Sequence, residues 1–230
     1  MMIRFPSYTA LAKPHLLYRP HKKGNSDFFD NLNVSVKEKK DLREQIRAIQ
    51  ITHQIDTSTT NIPAGKKVKQ IMVLEIELEL EQMDVSLTLL EQLDIRLGIY
   101  TAFVLKYPQG QEELLIHYKE PLGQEKDGKH FKIVRRFQTH DDVSIDFEGN
   151  DLDDVYESLV KETGKKELQV LEASNLRSSI ELSDQLDKLE KKAQQLKKKM
   201  YSEKSMRKQM EIKRDYQATL KEIEALKKQN

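Results

Sequence analysis

The sharpest alternation of apolar and polar residues lies in the stretch Val68–Lys119. From Met72 to Leu80 every second residue is apolar, and an alternation of period two is the pattern of a half-buried β-strand. The intervening positions begin apolar but become acidic at Glu75, Glu77 and Glu79. We therefore predict a strand whose second face meets solvent or a site along its C-terminal half.

A helix and two more strands follow in the same stretch. Leucines at helical spacing from Leu87 to Leu97 predict a helix that Ser86 caps and that ends at Gly98. The runs Ile99–Tyr107 and Glu113–Glu120 predict two strands joined by the turn PQGQ, which makes an antiparallel hairpin. The whole stretch is therefore predicted as strand, helix, strand, strand.

Further elements flank this stretch on both sides. A capping-box pattern at Ser35 and Glu38 predicts a helix over 34–51, with Ile46 and Ile49 in its apolar stripe. Downstream, the pattern predicts two short strands and a closing helix: Phe131–Gln138, Val143–Phe147 and Asp151–Gly164.

The C-terminal segment 174–230 contains neither proline nor glycine and carries a heptad-like apolar seam. The seam loses phase between Tyr201 and Ser205, and its members are Leu182, Leu186, Leu189, Ala193, Leu196 and Met200, then Ile212, Tyr216, Leu220 and Ile223. This pattern predicts either one long helix with a stutter or two helices that fold back on each other. A single helix would extend about 85 Å, which suits a partner contact or self-association.

These patterns together predict an α+β fold: a small mixed or antiparallel sheet with flanking helices, followed by a long C-terminal coiled-coil helix. Residues 1–33 are expected to form an irregular basic and aromatic arm, because three prolines disfavour regular structure there. Residues 34–173 are expected to form the core domain. Residues 174–230 are expected to form the coiled-coil helix, either continuous or broken near 201–205.

Charge is distributed unevenly between these regions. Residues 1–173 carry 24 basic and 29 acidic side chains, a net charge of −5, whereas residues 174–230 carry 15 and 9, a net charge of +6. An acidic body with a basic tail predicts that the tail meets an acidic surface, either nucleic acid or protein. The alternative is a lysine-rich helix that is simply solvated.

Composition narrows the function classes. The chain has no cysteine, which excludes thiol catalysis, disulfides and cysteine-ligated zinc. The N-terminus has no apolar run of signal-peptide length, and no segment approaches 18 uncharged apolar residues. We therefore expect a cytoplasmic protein that does not enter a membrane.

One set of polar residues resembles the site of a metal-dependent nuclease. Glu75 and Glu77 on a strand, Asp94 on a helix and Lys119 on a later strand could hold Mg²⁺ and a lysine beside an attacking water. Two departures count against it: the position two residues before Lys119 is His117 rather than a carboxylate, and no Pro-Asp pair precedes it. Mg²⁺ is expected only under this interpretation, and no other metal or cofactor is.

Two smaller groups of residues have alternative interpretations. His117 and Lys119 share a strand face with Tyr118 opposite, which could support acid–base cleavage of RNA or could be a half-exposed polar strand. Asp94 and Arg96 could contribute a buried ion pair or a partner contact, but at a spacing of two they cannot face each other.

Two basic segments are candidates for nucleic-acid binding. In the tail the candidates are Lys191, Lys192, Lys197, Lys198 and Lys199, and in the N-terminal arm they are Arg19, Lys22 and Lys23. Clustered cations bind phosphates, and neighbouring aromatics can bind bases. The alternatives are a solvated coiled-coil face for the tail and an arm whose aromatics dock on the core domain.

The order of several segments resembles the bacterial domain-of-unknown-function family 4391 over roughly residues 3–170. The segments are FPSYTALAK, RPHKKGNSDFF, VKQIMVLEIEL, LDIRLGIYTAFVL, LLIHYK and LDDVYESLV. Where that family typically has a tryptophan between the Tyr-Lys strand and the closing helix, this chain has none, and Phe137 stands in that region. The resemblance implies no established activity. It implies a genomic setting beside helicases and DNA methyltransferases of restriction-type defence loci.

The function expected from these observations is a non-enzymatic accessory protein of a bacterial DNA-handling system. The core would dock a helicase or DNA methyltransferase, and the tail would pair as a coiled coil or contact DNA. The first alternative is a divergent nuclease that uses the residues named above. The second is a homodimer held by the C-terminal helix, without a nucleic-acid role.

Overall fold

The computed structural model describes residues 3–20, 28, 32–79, 85–126, 129–147, 149–168 and 176–228. The chain divides into two compact units, Met1–Gly164, which we call the body, and Lys165–Asn230, which contains two long helices that we call the helical hairpin.

The described part of the body contains both strands and helices. Its strands are β1 (Ile3–Arg4), β2 (Ala10–Tyr18), β3 (Ile46–Ile55), β4 (Ile71–Leu78), β5 (Tyr100–Lys106), β6 (Glu112–Lys126), β7 (Lys129–Thr139) and β8 (Val143–Ser144). Its helices are α1 (Val36–Gln45), the single turn α2 (Thr57–Thr60), α3 (Leu87–Arg96) and α4 (Leu152–Thr163), with a 3-10 turn at Ser7–Thr9. The hairpin consists of α5 (Leu176–Ser202) and α6 (Met206–Lys228).

Six strands form one mixed sheet in the order β2-β3-β4-β5-β6-β7. The pair β4–β5 is parallel, and the other neighbours are antiparallel. A parallel pair needs a crossover connection, and α3 lies in the one between β4 and β5. The strand–helix–strand–strand prediction and the α+β fold class are therefore confirmed, with a mixed sheet. The short strands β1 and β8 pair separately and in parallel.

The main core lies between the sheet and the helices α1 and α3. Leu89, Leu90 and Leu93 of α3 belong to the same buried cluster as Leu74 of β4 and Phe103 of β5. This packing is the reason that α3 forms where leucines recur at helical spacing. The predicted caps are also present.

Both ends of α3 follow the sequence prediction. At the start, the Ser86 hydroxyl accepts a hydrogen bond from the backbone N–H of Leu89 at 3.3 Å. At the other end, Gly98 has a φ of +70°, a left-handed conformation that glycine adopts without the penalty of a Cβ. The Ser86 cap and the Gly98 conformation fix where α3 begins and ends. They therefore also fix which of its residues reach the sheet.

The helix predicted over 34–51 is wrong beyond Gln45. The capping box of Ser35 and Glu38 is present, but the chain turns into β3 at Ile46. Ile46 and Ile49 are buried in either interpretation, so their spacing could not separate helix from strand. The segment is a strand because it pairs with β4, in which Ile76 lies opposite Ile49, and because β-branched residues follow.

The irregular arm predicted for residues 1–33 is also wrong in its described part. Ala10–Tyr18 forms the edge strand β2, in which Tyr18 pairs with Ile49 of β3. Pro14 is tolerated because an edge strand has one side without ladder bonds, and the pairing is irregular between Ala10 and His15. The prolines therefore mark a sheet edge and not an absence of structure.

The C-terminal seam folds back on itself. The two helices α5 and α6 pack together through Leu186, Ala193 and Ile223, with Leu182, Leu189, Tyr216 and Leu226 around them. The break falls at Glu203–Ser205, where the heptad phase is lost. Of the two arrangements that the pattern allowed, the structure has two helices, and the apolar seam is covered within the chain. None of the described helices is apolar enough over a sufficient length to cross a bilayer.

Candidate functional site

Three of the predicted site residues meet inside the body. Asp94 lies in the last turn of α3, and His117 and Lys119 lie on one face of β6. Asp94 and His117 have no exposed surface, and Lys119 is 2% exposed. They converge because the buried face of α3 packs across β5 and β6, and because residues two apart on a strand share a face.

The carboxylate of Asp94 is the centre of this group, which we call the buried cluster. One of its oxygens, Oδ2, accepts a hydrogen bond from Nδ1 of His117 at 2.8 Å. The other, Oδ1, accepts hydrogen bonds from the Lys119 ammonium and from the Thr101 hydroxyl. Both carboxylate oxygens are therefore occupied, and a carboxylate that only accepts requires the proton on Nδ1 of His117.

The Lys119 ammonium uses its three donors within the fold. Besides Asp94, its Nζ donates to the carbonyl of Ile99 at 2.8 Å and lies 3.2 Å from Oγ1 of Thr101. It also lies 4.7 Å from the ring centroid of Phe131 and 5.7 Å from that of Tyr100, which are cation–π distances. The ammonium is thus enclosed by partners that belong to this chain.

Burial and charge act against each other in the buried cluster. Burial alone would raise the pKa of Asp94, but the Lys119 charge and the His117 hydrogen bond outweigh it and lower that pKa below its usual value. Burial lowers the pKa of Lys119, and the Asp94 charge opposes this shift. Each charge of the pair therefore favours the ionised form of the other, against the burial that both groups share.

Tyrosine rings line the same region. The Tyr156 hydroxyl donates to the backbone carbonyl of His117. Burial, with the nearby Asp94 charge, raises the pKa of Tyr156 well above its usual value, and burial raises the pKa of Tyr100 to about 12. A cavity of about 70 Å³ borders Tyr100, Tyr118, Tyr156 and Lys119. Tyr100 and Tyr156 therefore stay protonated, and the Tyr156 hydroxyl serves as a hydrogen-bond donor.

The two strand carboxylates of the nuclease set lie elsewhere. Met72 of β4 pairs with Thr101, and Glu75 pairs with Val104, so alternation puts Glu75 and Glu77 on the sheet face opposite Thr101. Glu75 binds Gln50 at 2.9 Å and Lys106 at 2.7 Å, and Glu77 lies 3.9 Å from Arg47.

The predicted nuclease set is therefore only half assembled. The structure brings Asp94 and Lys119 together, but it does not bring the two glutamates to them. In the part of the chain that the structure describes, no group of histidine, aspartate and glutamate side chains is arranged to hold a metal ion.

Asp94 and Arg96 serve different partners, as their spacing predicted. The Arg96 guanidinium binds the Glu38 carboxylate of α1, with Nη1–oxygen distances of 3.1 and 3.2 Å. Glu38 is also the residue whose side chain closes the capping box of α1. This ion pair therefore ties the end of α3 to the start of α1.

The structure describes six of the eight residues that were predicted to bind nucleic acid. Lys191, Lys192, Lys197, Lys198 and Lys199 are all exposed on α5, and Arg19 is exposed just after β2. Lys22 and Lys23 lie outside the described residues.

Sequence reasoning missed Thr101 and Asp153. Thr101 is the polar residue in the otherwise apolar strand YTAFVL, and that interruption was the available signal. The Asp153 carboxylate accepts backbone N–H bonds from Lys66 at 2.9 Å, Lys67 at 3.1 Å and Val68 at 2.7 Å. No local pattern linked residues 85 positions apart.

The fold and the buried cluster define an α+β domain with an internal Asp–His–Lys ion network, followed by a charged helical hairpin. A family model described as Domain of unknown function (DUF4391) matches residues 24–226. The chain belongs to this family, as its segments predicted. The match begins later than the expected range of 3–170 and runs through the hairpin, so the hairpin is part of the family domain. No curated protein and no solved structure matches the chain significantly.

Proposed function

We propose that this protein is a non-enzymatic accessory protein of a bacterial DNA-handling system of the restriction-like, anti-phage kind. The body docks a helicase or DNA methyltransferase of the same locus, and the hairpin contacts nucleic acid. The genomic setting implied by the family supports the first part. The charge of the hairpin is the observation that carries the second part.

The hairpin charge is concentrated around the turn between its helices. The segment 197–214, which we call the basic end, holds eight basic side chains and two acidic ones, a net charge of +6. All eight basic residues are exposed: Lys197, Lys198, Lys199, Lys204, Arg207, Lys208, Lys213 and Arg214. Such a density of exposed cations favours a polyanion, because binding releases the counterions that phosphates hold.

The buried cluster supports a structural role for the body. Its ion network joins α3 to β5 and β6, and both Asp94 oxygens and the Lys119 ammonium find their partners within the chain. The nuclease alternative keeps one observation in its favour, the contact between Asp94 and Lys119. Magnesium-dependent cleavage of DNA by the wild-type chain, lost in Lys119→Ala with the fold intact, would favour that alternative.

Salt-dependent binding tests the role of the basic end. Replacement of Lys197, Lys198 and Lys199 by glutamine should weaken DNA binding in fluorescence anisotropy. It should also reduce the slope of log K against log salt by about 3 on duplex DNA, since each neutralised phosphate contributes about 0.9. The matched control carries the same charge change on exposed lysines of the body, Lys37, Lys40 and Lys66. Equal loss in both variants, or no DNA binding by the wild type, would contradict the proposal.

Affinity capture from the native host tests the docking role. After nuclease treatment of the extract, the tagged protein should retain a helicase or DNA methyltransferase encoded in the same locus. A solution mass of twice the chain without such a partner would favour the homodimer alternative. That dimer would need a surface other than the seam, because α6 already covers the seam within the chain.

A further inference from the structure

The basic end also displays large apolar side chains. Tyr201 is 73% exposed, Met206 is 74% exposed and Met210 is 60% exposed. These three lie within ten residues of one another, among the eight cations. Met206 and Met210 are four residues apart on α6 and so lie on the same face of the helix, and apolar groups that adjoin one another within a rim of polar residues are a feature of interaction sites.

Hydrogen bonds hold the turn that carries these side chains. The Gln209 amide donates to the carbonyl of Met200 at 3.1 Å, which satisfies an end group of α5 from α6. The Glu203 carboxylate accepts the backbone N–H of Ser205 at 2.9 Å. The turn is therefore braced on both sides, and Tyr201 projects from a fixed part of the backbone.

The adjoining face of α6 continues the basic end as an open, shallow surface. A concavity of about 510 Å³ is lined by Arg207, Met210, Glu211, Lys213, Arg214 and Gln217. These positions recur at helical spacing from 207 to 217, which corresponds to about 15 Å of helix. Three cations thus border a methionine along one line, and Glu211 is engaged by Arg207 at 3.6 Å.

We propose that the basic end binds single-stranded nucleic acid, with Tyr201 stacking on an unpaired base and the cations of α6 following the phosphates. This inference rests on the proposed function and narrows its ligand. Single-strand sites combine a basic groove with aromatic rings on which bases stack. In a duplex the faces of the bases are already covered by their neighbours, so duplex binding would use the cations and leave Tyr201 without a partner.

A protein partner fits this surface less well. Lysine is depleted in protein–protein interfaces, and six of the eight basic residues of the basic end are lysines that would have to be desolvated there. Anionic lipid would match the positive charge of the basic end, but the flat ring of Tyr201 suits stacking on the face of a base. Lipid binding is therefore an outcome that the test must separate.

The test compares a single-stranded and a duplex oligonucleotide of one sequence. Each is longer than about 16 nucleotides, the largest site size typical of one single-strand-binding fold. Fluorescence anisotropy with the full chain should show tighter binding to the single strand. Tyr201→Ala should weaken single-strand binding roughly tenfold and leave duplex binding unchanged, and Tyr201→Phe, which keeps a ring, should restore it. Tyr8→Ala removes an exposed tyrosine of the body and serves as the matched control.

The possible results separate this inference from the proposed function. Binding of both oligonucleotides with no effect of Tyr201→Ala would overturn the inference and leave the proposed function standing. A loss of equal size on both oligonucleotides would also overturn it. Binding of neither would overturn both proposals. Tighter binding to phosphatidylserine vesicles than to the single strand, measured by co-sedimentation, would assign the surface to lipid and overturn the inference. Far-UV circular dichroism of every variant checks that the helices persist.

Discussion

Replacing Lys119 by methionine tests the account of the buried cluster most directly. The substitution keeps an unbranched apolar stem but removes the ammonium, its cation–π contacts and its three hydrogen bonds. Asp94, which has no exposed surface, then keeps only His117 and Thr101 as partners. The variant therefore leaves a buried carboxylate without its compensating charge.

The expected magnitude follows from that loss. Breaking a buried ion pair by removing one partner costs about 3–5 kcal/mol, because the remaining charge stays desolvated. We expect Lys119→Met to lower the free energy of unfolding by about this amount. The measurement is equilibrium urea denaturation followed by far-UV circular dichroism, since the chain has no tryptophan to report by fluorescence.

A double-mutant cycle makes this prediction specific to the ion pair. Asp94→Asn removes the charge but keeps an oxygen that can accept hydrogen bonds from Thr101 or His117. In the double variant no buried charge is left unpaired, so its loss should be smaller than the sum of the two single losses by about 2 kcal/mol. Lys37→Met, at an exposed lysine of α1, is the control and should change stability by less than about 0.5 kcal/mol. Additive losses, or a loss below about 1 kcal/mol for Lys119→Met, would show that Asp94 and Lys119 do not depend on each other as a buried ion pair.

Two further predictions concern acid stability and the link between α4 and the loop before β4. Asp94 has a folded-state pKa below its ordinary value of 3.8, so it contributes stability above that value, and the contribution is lost as the pH falls through the folded pKa. The free energy of unfolding should therefore fall below about pH 4 in the wild type, and less steeply in Asp94→Asn; parallel urea midpoints across this range would contradict the assignment. Asp153→Ala should lower the free energy of unfolding by about 1–3 kcal/mol, because three backbone N–H groups at Lys66, Lys67 and Val68 lose their acceptor. A loss no larger than that of the exposed control Lys37→Met would show that water replaces the carboxylate there.

The two errors in the N-terminal prediction share one cause. In α1 and β3, apolar residues at Leu42, Ile46 and Ile49 fit both a helical stripe and a helix followed by a strand. In β2, the proline predicts a break in regular structure, although an edge strand can contain one. In both cases the pairing partner is distant in the chain, so no local pattern could decide the conformation.

The candidate site also has features that were predictable from local sequence and features that were not. That His117 and Lys119 share a face was predictable, since it depends only on the period of a strand. That they meet Asp94, and that Glu75 does not, depends on which sheet face α3 covers. The nest of backbone amides around Asp153 likewise joins a loop to a helix far along the chain. Gly65 matters there because a Cβ at that position would collide with the Asp153 carboxylate.

Local sequence patterns were enough to predict the element types of Val68–Lys119, the caps of α1 and α3, the point at which the C-terminal seam breaks and the charge of its basic end. These features are local, because caps, periodicity and charge act over one or two turns of chain. Tertiary structure alone decided that the seam closes within the chain, that β2 and β3 join the sheet, and that Asp94, Thr101, His117 and Lys119 form one ion network. Those features required the docking of distant elements, in which burial of apolar surface selects the partner face and the polar groups on that face must then satisfy one another.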